Sequence, residues 1–178
     1  MKCFECFHKS KPTLVLMAGL PGTGKTTLAN KLGQRLHWQV IDKDGIKEQY
    51  MLEGFSDDDA ARYAYDESFA RISTFLTIAK VSVVLDSSAI PEFVWDTAKK
   101  IAHTADANVK VLHCAVDNTI RVRRLQEREP RLSQRNTTTY TIQPESSQFI
   151  HLPTRTLTVV TNPPLETPLS QILDYVVR

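Results

Sequence analysis

LVLMAGLPGTGKTTLANKL, residues 14–32, is the stretch on which the fold turns. TLVLMA, 13–18, is a continuous apolar run once past its threonine, and such a run predicts a strand buried on both faces. It gives way to glycine and proline, then resumes over 25–36 with Leu28, Leu32 and Leu36 at helical spacing. Between strand and helix, Gly19 to Thr26 spells G-x-x-x-x-G-K-T. Glycines at 19, 22 and 24 let the backbone curl so that successive N–H groups point inward, and the helix that starts near Lys25 adds the positive end of its dipole. Lys25 supplies a point charge for the outer phosphates of a nucleotide, and the Thr26 hydroxyl can ligate Mg²⁺. The candidate nucleotide cradle is Gly19, Leu20, Pro21, Gly22, Thr23, Gly24, Lys25, Thr26 and Thr27, with ATP and Mg²⁺ as the expected ligands. A merely structural glycine turn would not require Lys25.

Outward from this loop, strands and helices alternate. HWQVID (37–42), VSVVLD (81–86), VKVLHCAV (109–116) and TLTVVT (156–161) read as further strands. Helices are predicted over about 45–54, 57–80, from Pro91 to about 105, over 118–129 and over 168–177. Ser56 and Asp57–Asp59 make a strong helix start. Ala61, Tyr65, Phe69, Ile72, Phe75, Leu76 and Ala79 mark the buried stripe of the long helix. Strands separated by helices imply an α/β fold with a parallel sheet and right-handed crossovers. Residues 1–12 read as an N-terminal extension and 13–178 as one domain. The polar stretch of roughly 129–155 is long for a loop in a compact domain, which points to a functional or unstructured segment.

At 178 residues with 42% apolar and 24% charged side chains, the chain has material for one real core. A net charge of +2 argues against an extended nucleic-acid track. No apolar run is long enough for a membrane helix, and the N-terminus lacks the apolar core of an export signal, so the cytoplasm is the expected compartment. Three cysteines give no disulfide framework. Cys3 and Cys6, with His8 nearby, lack the second ligand pair that zinc usually needs and read as free thiols. No N-K-x-D guanine reader occurs in the sequence.

The glycine loop resembles the Walker A segment of P-loop kinases. VIDKDGIK, VVLDSS and RVRRLQERE follow at intervals that resemble the AAA_33-like small kinases, the polynucleotide-kinase, zeta-toxin and chloramphenicol-phosphotransferase group. The resemblance covers most of 13–177. It implies a P-loop NTPase three-layer sandwich: a five-stranded parallel sheet in order 2-3-1-4-5, helices on both faces, and a mobile lid over about 121–150. It also implies transfer of the γ-phosphoryl group of a nucleoside triphosphate to a hydroxyl acceptor, a small molecule or a nucleic-acid end. A nucleotide-dependent switch that hydrolyses ATP slowly is the alternative.

Phosphoryl transfer needs a group that holds the acceptor hydroxyl in line and takes its proton. Asp42 and Asp44 sit just past the second strand, where ligands of open parallel sheets bind. By resemblance Asp44 has the base role, with Lys47 as its basic neighbour where the family more often has arginine. Asp42 competes for that role, and both could instead cap the following helix. Asp86 ends an apolar strand, where an acid is costly unless paired, liganded or solvated. It would hold Mg²⁺ with Thr26 or help place the acceptor; a cap shared with Ser87 and Ser88 is the alternative. In the arginine cluster, Arg121, Arg124 and Arg128 share one helical face. By resemblance Arg124 and Arg128 are the lid arginines that stabilise the moving phosphoryl group. Arg121 is expected on the base or α-phosphate, and Arg131 and Arg135 near the acceptor; a solvated face is the alternative for the cluster. Tyr50, Phe55, Tyr63 and Trp95 are candidate acceptor walls, or core.

Overall fold

The computed structural model describes residues 11–88, 91–129, 131–133, 152–165 and 167–178. Strands β1 (Thr13–Ala18), β2 (Gln39–Asp42), β3 (Val83–Asp86), β4 (Asn108–Ala115) and β5 (Leu157–Val160) form one sheet in order β2-β3-β1-β4-β5. Every neighbouring pair is parallel. Both the predicted class and the order implied by the resemblance are therefore found. The helices are α1 (Lys25–Leu36), α2 (Lys43–Leu52), α3 (Asp57–Thr74), α4 (Glu92–Ala105), α5 (Asn118–Glu127) and α6 (Leu169–Val177).

Strand β1 is the centre of the sheet, and all six of its residues are buried. Its alternation divides the core. Leu14, Leu16 and Ala18 point to one face, packed with Ile72 of α3, with Leu76 just beyond it and with Val94 and Ala98 of α4. Val15 and Met17 point to the other, against Leu28 and Leu32 of α1 and Ile172 and Val176 of α6. A strand covered by helices on both faces cannot alternate polar with apolar, which is why this segment reads as an unbroken apolar run. Gly33 lets α1 lie directly on β2: a Cβ there would meet Val40 Cγ2 at 2.3 Å.

Two helices differ from expectation. Helix α2 starts two residues earlier than predicted, with no linker after β2. The Asp42 side chain caps it at once, accepting from the N–H groups of Asp44 and Gly45 at 3.1 Å each. The long helix is α-helical only to Thr74; Phe75–Ala79 is a π-turn that ends at Lys80 in the left-handed region (φ 53°). The wider turn shifts the register of the last residues, so Ala79 is exposed. At the start of the helix Ala60 and Ala64, rather than Ala61, face the core. Cys3, Cys6, His8, Arg135 and most of the expected lid lie outside the described residues. No helix among the described residues is long and apolar enough to cross a membrane.

Candidate active site at the carboxyl ends of the strands

The loop between β1 and α1 has the conformation its glycines predict. Gly19, Gly22 and Gly24 all have positive φ, at 135°, 85° and 86°. Gly19 is also sterically required, because a Cβ would lie 2.5 Å from the Cys114 carbonyl oxygen. The Gly19 N–H donates to the Ser88 carbonyl at 3.2 Å, which stitches the loop to the chain leaving β3. Gly24 precedes α1 without a side-chain cap, so the first turn keeps N–H groups available for an anion.

Around this loop the sheet gathers charge. Register pairs Asp42 with Asp86 across β2 and β3, so both acids stand at the same end of the sheet as the loop. Asp86 is 5% exposed and hydrogen-bonded to Thr26. Desolvation raises its carboxyl above the ordinary range, while the Thr26 bond and the Lys25 ammonium pull it back. The Lys25 ammonium donates to the Leu20 carbonyl at 2.9 Å, folded back across the loop. Desolvation lowers its pKa, and Asp86, Cys114 and Asp44 oppose that shift. Arg128, the C-cap of α5, is close enough to push the Lys25 pKa down further. The two like charges repel, and a bound anion would offset that repulsion.

The acids of β2 and α2 divide their roles. Asp42 uses Oδ1 for the α2 cap and Oδ2 for an ion pair with Arg131 Nη1 at 2.8 Å. Asp44 pairs with Lys43 at 2.5 Å and is electrostatically linked to both Lys25 and Asp86. Lys47 is 7% exposed; its ammonium pairs with Asp57 at 2.8 Å and donates to the Ser133 carbonyl at 3.3 Å. Arg131 and Ser133 thus both rest on α2, where Glu48 also accepts from the Ser133 hydroxyl at 3.3 Å.

Arg121, Arg124 and Arg128, expected on one helical face, part company, because α5 ends at Glu127 and Arg128 is already extended. Arg121 is buried and donates to Asn118 Oδ1 from Nε and Nη2. Arg124 reaches across to the end of β5. Its Nη2 donates to the Thr161 carbonyl at 2.8 Å, and its Nη1 approaches Thr161 Oγ1 at 3.3 Å and the Gly22 carbonyl at 3.4 Å. Thr161 in turn donates to the Thr23 carbonyl at 2.7 Å. The outward carbonyls of the phosphate loop are thereby held from α5 and β5. Arg128 stays exposed beside Lys25.

Four residues at the site are assigned no part in the chemistry by their motifs or spacing. Thr161 ends the fifth apolar run, and its place at the carboxyl end of a parallel strand is the signal that could have found it. Lys43 stands between two noted aspartates; its ammonium is 5.2 Å from the centre of the Tyr65 ring. Tyr65 reads as core from its spacing and does stack on Phe69, but its hydroxyl faces Ser87 and Ser88. Burial pushes that phenol up to about 12. Ser87 is 3% exposed, and its Oγ takes no hydrogen bond of normal geometry among the described residues. The candidate walls divide. Tyr50, Phe55 and Tyr63 pack on one another with ring centres 5.2–5.6 Å apart. Trp95 lines a cavity of about 370 Å³ with Lys110, Arg155 and Tyr175, by the amino-terminal half of β4 and away from the phosphate loop.

Comparison with known proteins agrees with this geometry. A candidate kinase of Chloroflexus aurantiacus superposes with a TM-score of 0.69 at 20% identity, over 93% of this chain and 97% of that one. The APS kinase of Mycobacterium tuberculosis, solved in complex with AMPPNP and APS, gives 0.61 at 17% identity over 93% and 97% of the two chains. At such identities the likeness is one of fold. Over 33 residues the chain is 61% identical to signal recognition particle proteins of Mycobacterium bovis and Mycobacterium tuberculosis, a match covering 18% of this chain and only 6% of theirs. A family model described as an AAA domain matches residues 14–148, and the chain belongs to that family, AAA_33, with the fold of the P-loop kinases.

Proposed function

We propose that the protein is an ATP- and Mg²⁺-dependent phosphotransferase that moves the γ-phosphoryl group to an acceptor hydroxyl. The observation that carries the reading is the meeting of Lys25, the hydrogen-bonded Thr26–Asp86 pair and Asp44 at one end of the sheet. A nucleotide-binding module has use for Lys25, Thr26 and Asp86; a further carboxylate in electrostatic reach of them is what transfer to an acceptor adds.

The amides of Gly19–Thr26 would bind the phosphates, and Lys25 would exchange its Leu20 carbonyl for the γ-phosphate. Thr26 and Asp86 suit Mg²⁺: one hydroxyl and one carboxylate, hard oxygen donors already in contact beside the phosphate cradle. Held by these two residues, Mg²⁺ would supply positive charge against that of the phosphates. Asp44 would align the acceptor hydroxyl and take its proton as the phosphorus–oxygen bond forms. Arg128 would meet the charge on the equatorial oxygens. The relative solved with AMPPNP and APS shows that this fold accepts a nucleotide and an acceptor together in that protein.

The test is Asp44→Asn. ATP binding should persist, measured by fluorescence or calorimetry, while labelled phosphate no longer reaches any acceptor. Undiminished transfer by the variant removes Asp44 from the base role.

A further inference from the structure

Among the described residues, the acceptor side of the site is built from β2, α2 and the residues that rest on them, and the cations there are already matched. Lys43 pairs with Asp44, Lys47 with Asp57 and Arg131 with Asp42, at 2.5, 2.8 and 2.8 Å. Glu48 adds a fourth carboxylate against these three cations among the described residues, and it accepts from Ser133. An incoming phosphate, sulfate or carboxylate group would have to break one of these pairs or lie against uncompensated acid. Lys25 and the neighbouring Arg128 belong to the phosphate loop side of the site, where the phosphotransfer reading assigns them to the nucleotide.

Among the described residues, aromatic and hydroxyl groups lie beside these pairs. Phe93, at the start of α4, is 48% exposed and meets the Tyr65 ring edge-on at 5.1 Å. Beside the Tyr65 hydroxyl, Ser87 Oγ is buried and takes no hydrogen bond of normal geometry among the described residues. A buried hydroxyl left unpaired is a place where a ligand can supply the missing bond.

We infer that the acceptor is a hydroxyl compound that carries no anionic group, seated with a ring or apolar face on Phe93 and its polar edge between Asp44, Tyr65 and Ser87. The inference rests on the phosphotransfer reading and narrows it: nucleic-acid ends, nucleotides and sugar acids fall outside the class. The balance of the step is unchanged. The acceptor oxygen forms the new bond to phosphorus, the bridging oxygen leaves with ADP, and the hydroxyl proton passes to Asp44.

The full chain, with Mg²⁺ and ATP labelled in the γ position, would be offered uridine, ribose and myo-inositol in one set of reactions. Gluconate, CMP and a 5′-hydroxyl oligothymidylate form the second set. Label in a product of the first set and none in the second is expected. Phe93→Ala should then raise KM for the uncharged acceptor roughly tenfold, the scale of a lost aromatic anchor, and leave KM for ATP unchanged. Label only in the second set, or an unmoved acceptor KM in Phe93→Ala, overturns the inference and leaves phosphotransfer standing. Label that goes only to water in every reaction overturns the phosphotransfer reading itself, and the inference with it.

Discussion

Lys25 and Asp86 are both groups whose charge the folded protein disfavours, and each makes a prediction with a definite sign. Lys25→Met removes a desolvated ammonium, so the melting temperature of the ligand-free protein should hold or rise. The stabilisation by AMPPNP and Mg²⁺ seen in parallel melts should disappear, and turnover should fall by about 10² or more. Asp86 has a raised pKa, so below it the fold holds a proton that the unfolded chain has released. Ligand-free stability therefore falls as pH rises from the ordinary aspartate range through that raised value. Mg²⁺ competes with the same proton, so its apparent affinity should drop as pH falls through that window, and Asp86→Asn should abolish both trends in a metal titration followed by melting. Arg124 and Arg128, equivalent by resemblance, should separate in steady-state kinetics. Arg124 is committed to Thr161 and Gly22. Losing these charged hydrogen bonds, worth about 1.5–3 kcal/mol, should loosen the phosphate loop, so Arg124→Ala raises KM for ATP, whereas Arg128→Ala lowers kcat. Equal effects on both parameters in both variants would count against this division. The loop was legible because glycine, lysine and threonine at fixed spacing each have one job. The Arg124–Thr161 clasp was not, because its partners lie 37 residues apart and meet only once β5 is laid beside β4.

At the scale of elements, boundaries were legible wherever a local device sets them. β1 and α1 fall where the apolar run and the glycine loop place them, and α3 begins at its Ser56 cap. The start of α2 was misplaced because an aspartate that could be catalytic also serves as a cap, and composition does not tell the two apart. The π-turn at Phe75–Ala79 left no trace because helical spacing continues through it in the sequence. Contact between elements gives a sharper test at Gly33. A helix interior gains up to about 1 kcal/mol from Gly→Ala by propensity. Here the new methyl would overlap Val40, and overpacking of a well-filled contact costs about 1–3 kcal/mol. Gly33→Ala should therefore be neutral to destabilising in chemical denaturation, and Gly33→Val, with a smaller propensity gain and more bulk, clearly destabilising.

For the molecule as a whole, the order β2-β3-β1-β4-β5 brings the loop after β1 between the acids of β2 and β3 and the arginines that follow β4. Residues remote in sequence become a site only through that order, which periodicity alone could not supply. Ligand binding should accordingly stabilise the entire fold. At a hundredfold excess over Kd, AMPPNP with Mg²⁺ contributes about 2.7 kcal/mol, which in a domain of this size should raise Tm by about 5–10 °C. Asp42 offers a way to watch the site from within. One oxygen holds the amides of Asp44 and Gly45, and the other holds Arg131. The same carboxylate thus couples the polarity of two peptide groups to the position of a distant guanidinium. The nitrogen chemical shifts of Asp44 and Gly45 should therefore move when Arg131 leaves, giving a spectroscopic gauge of occupancy that requires no attached dye.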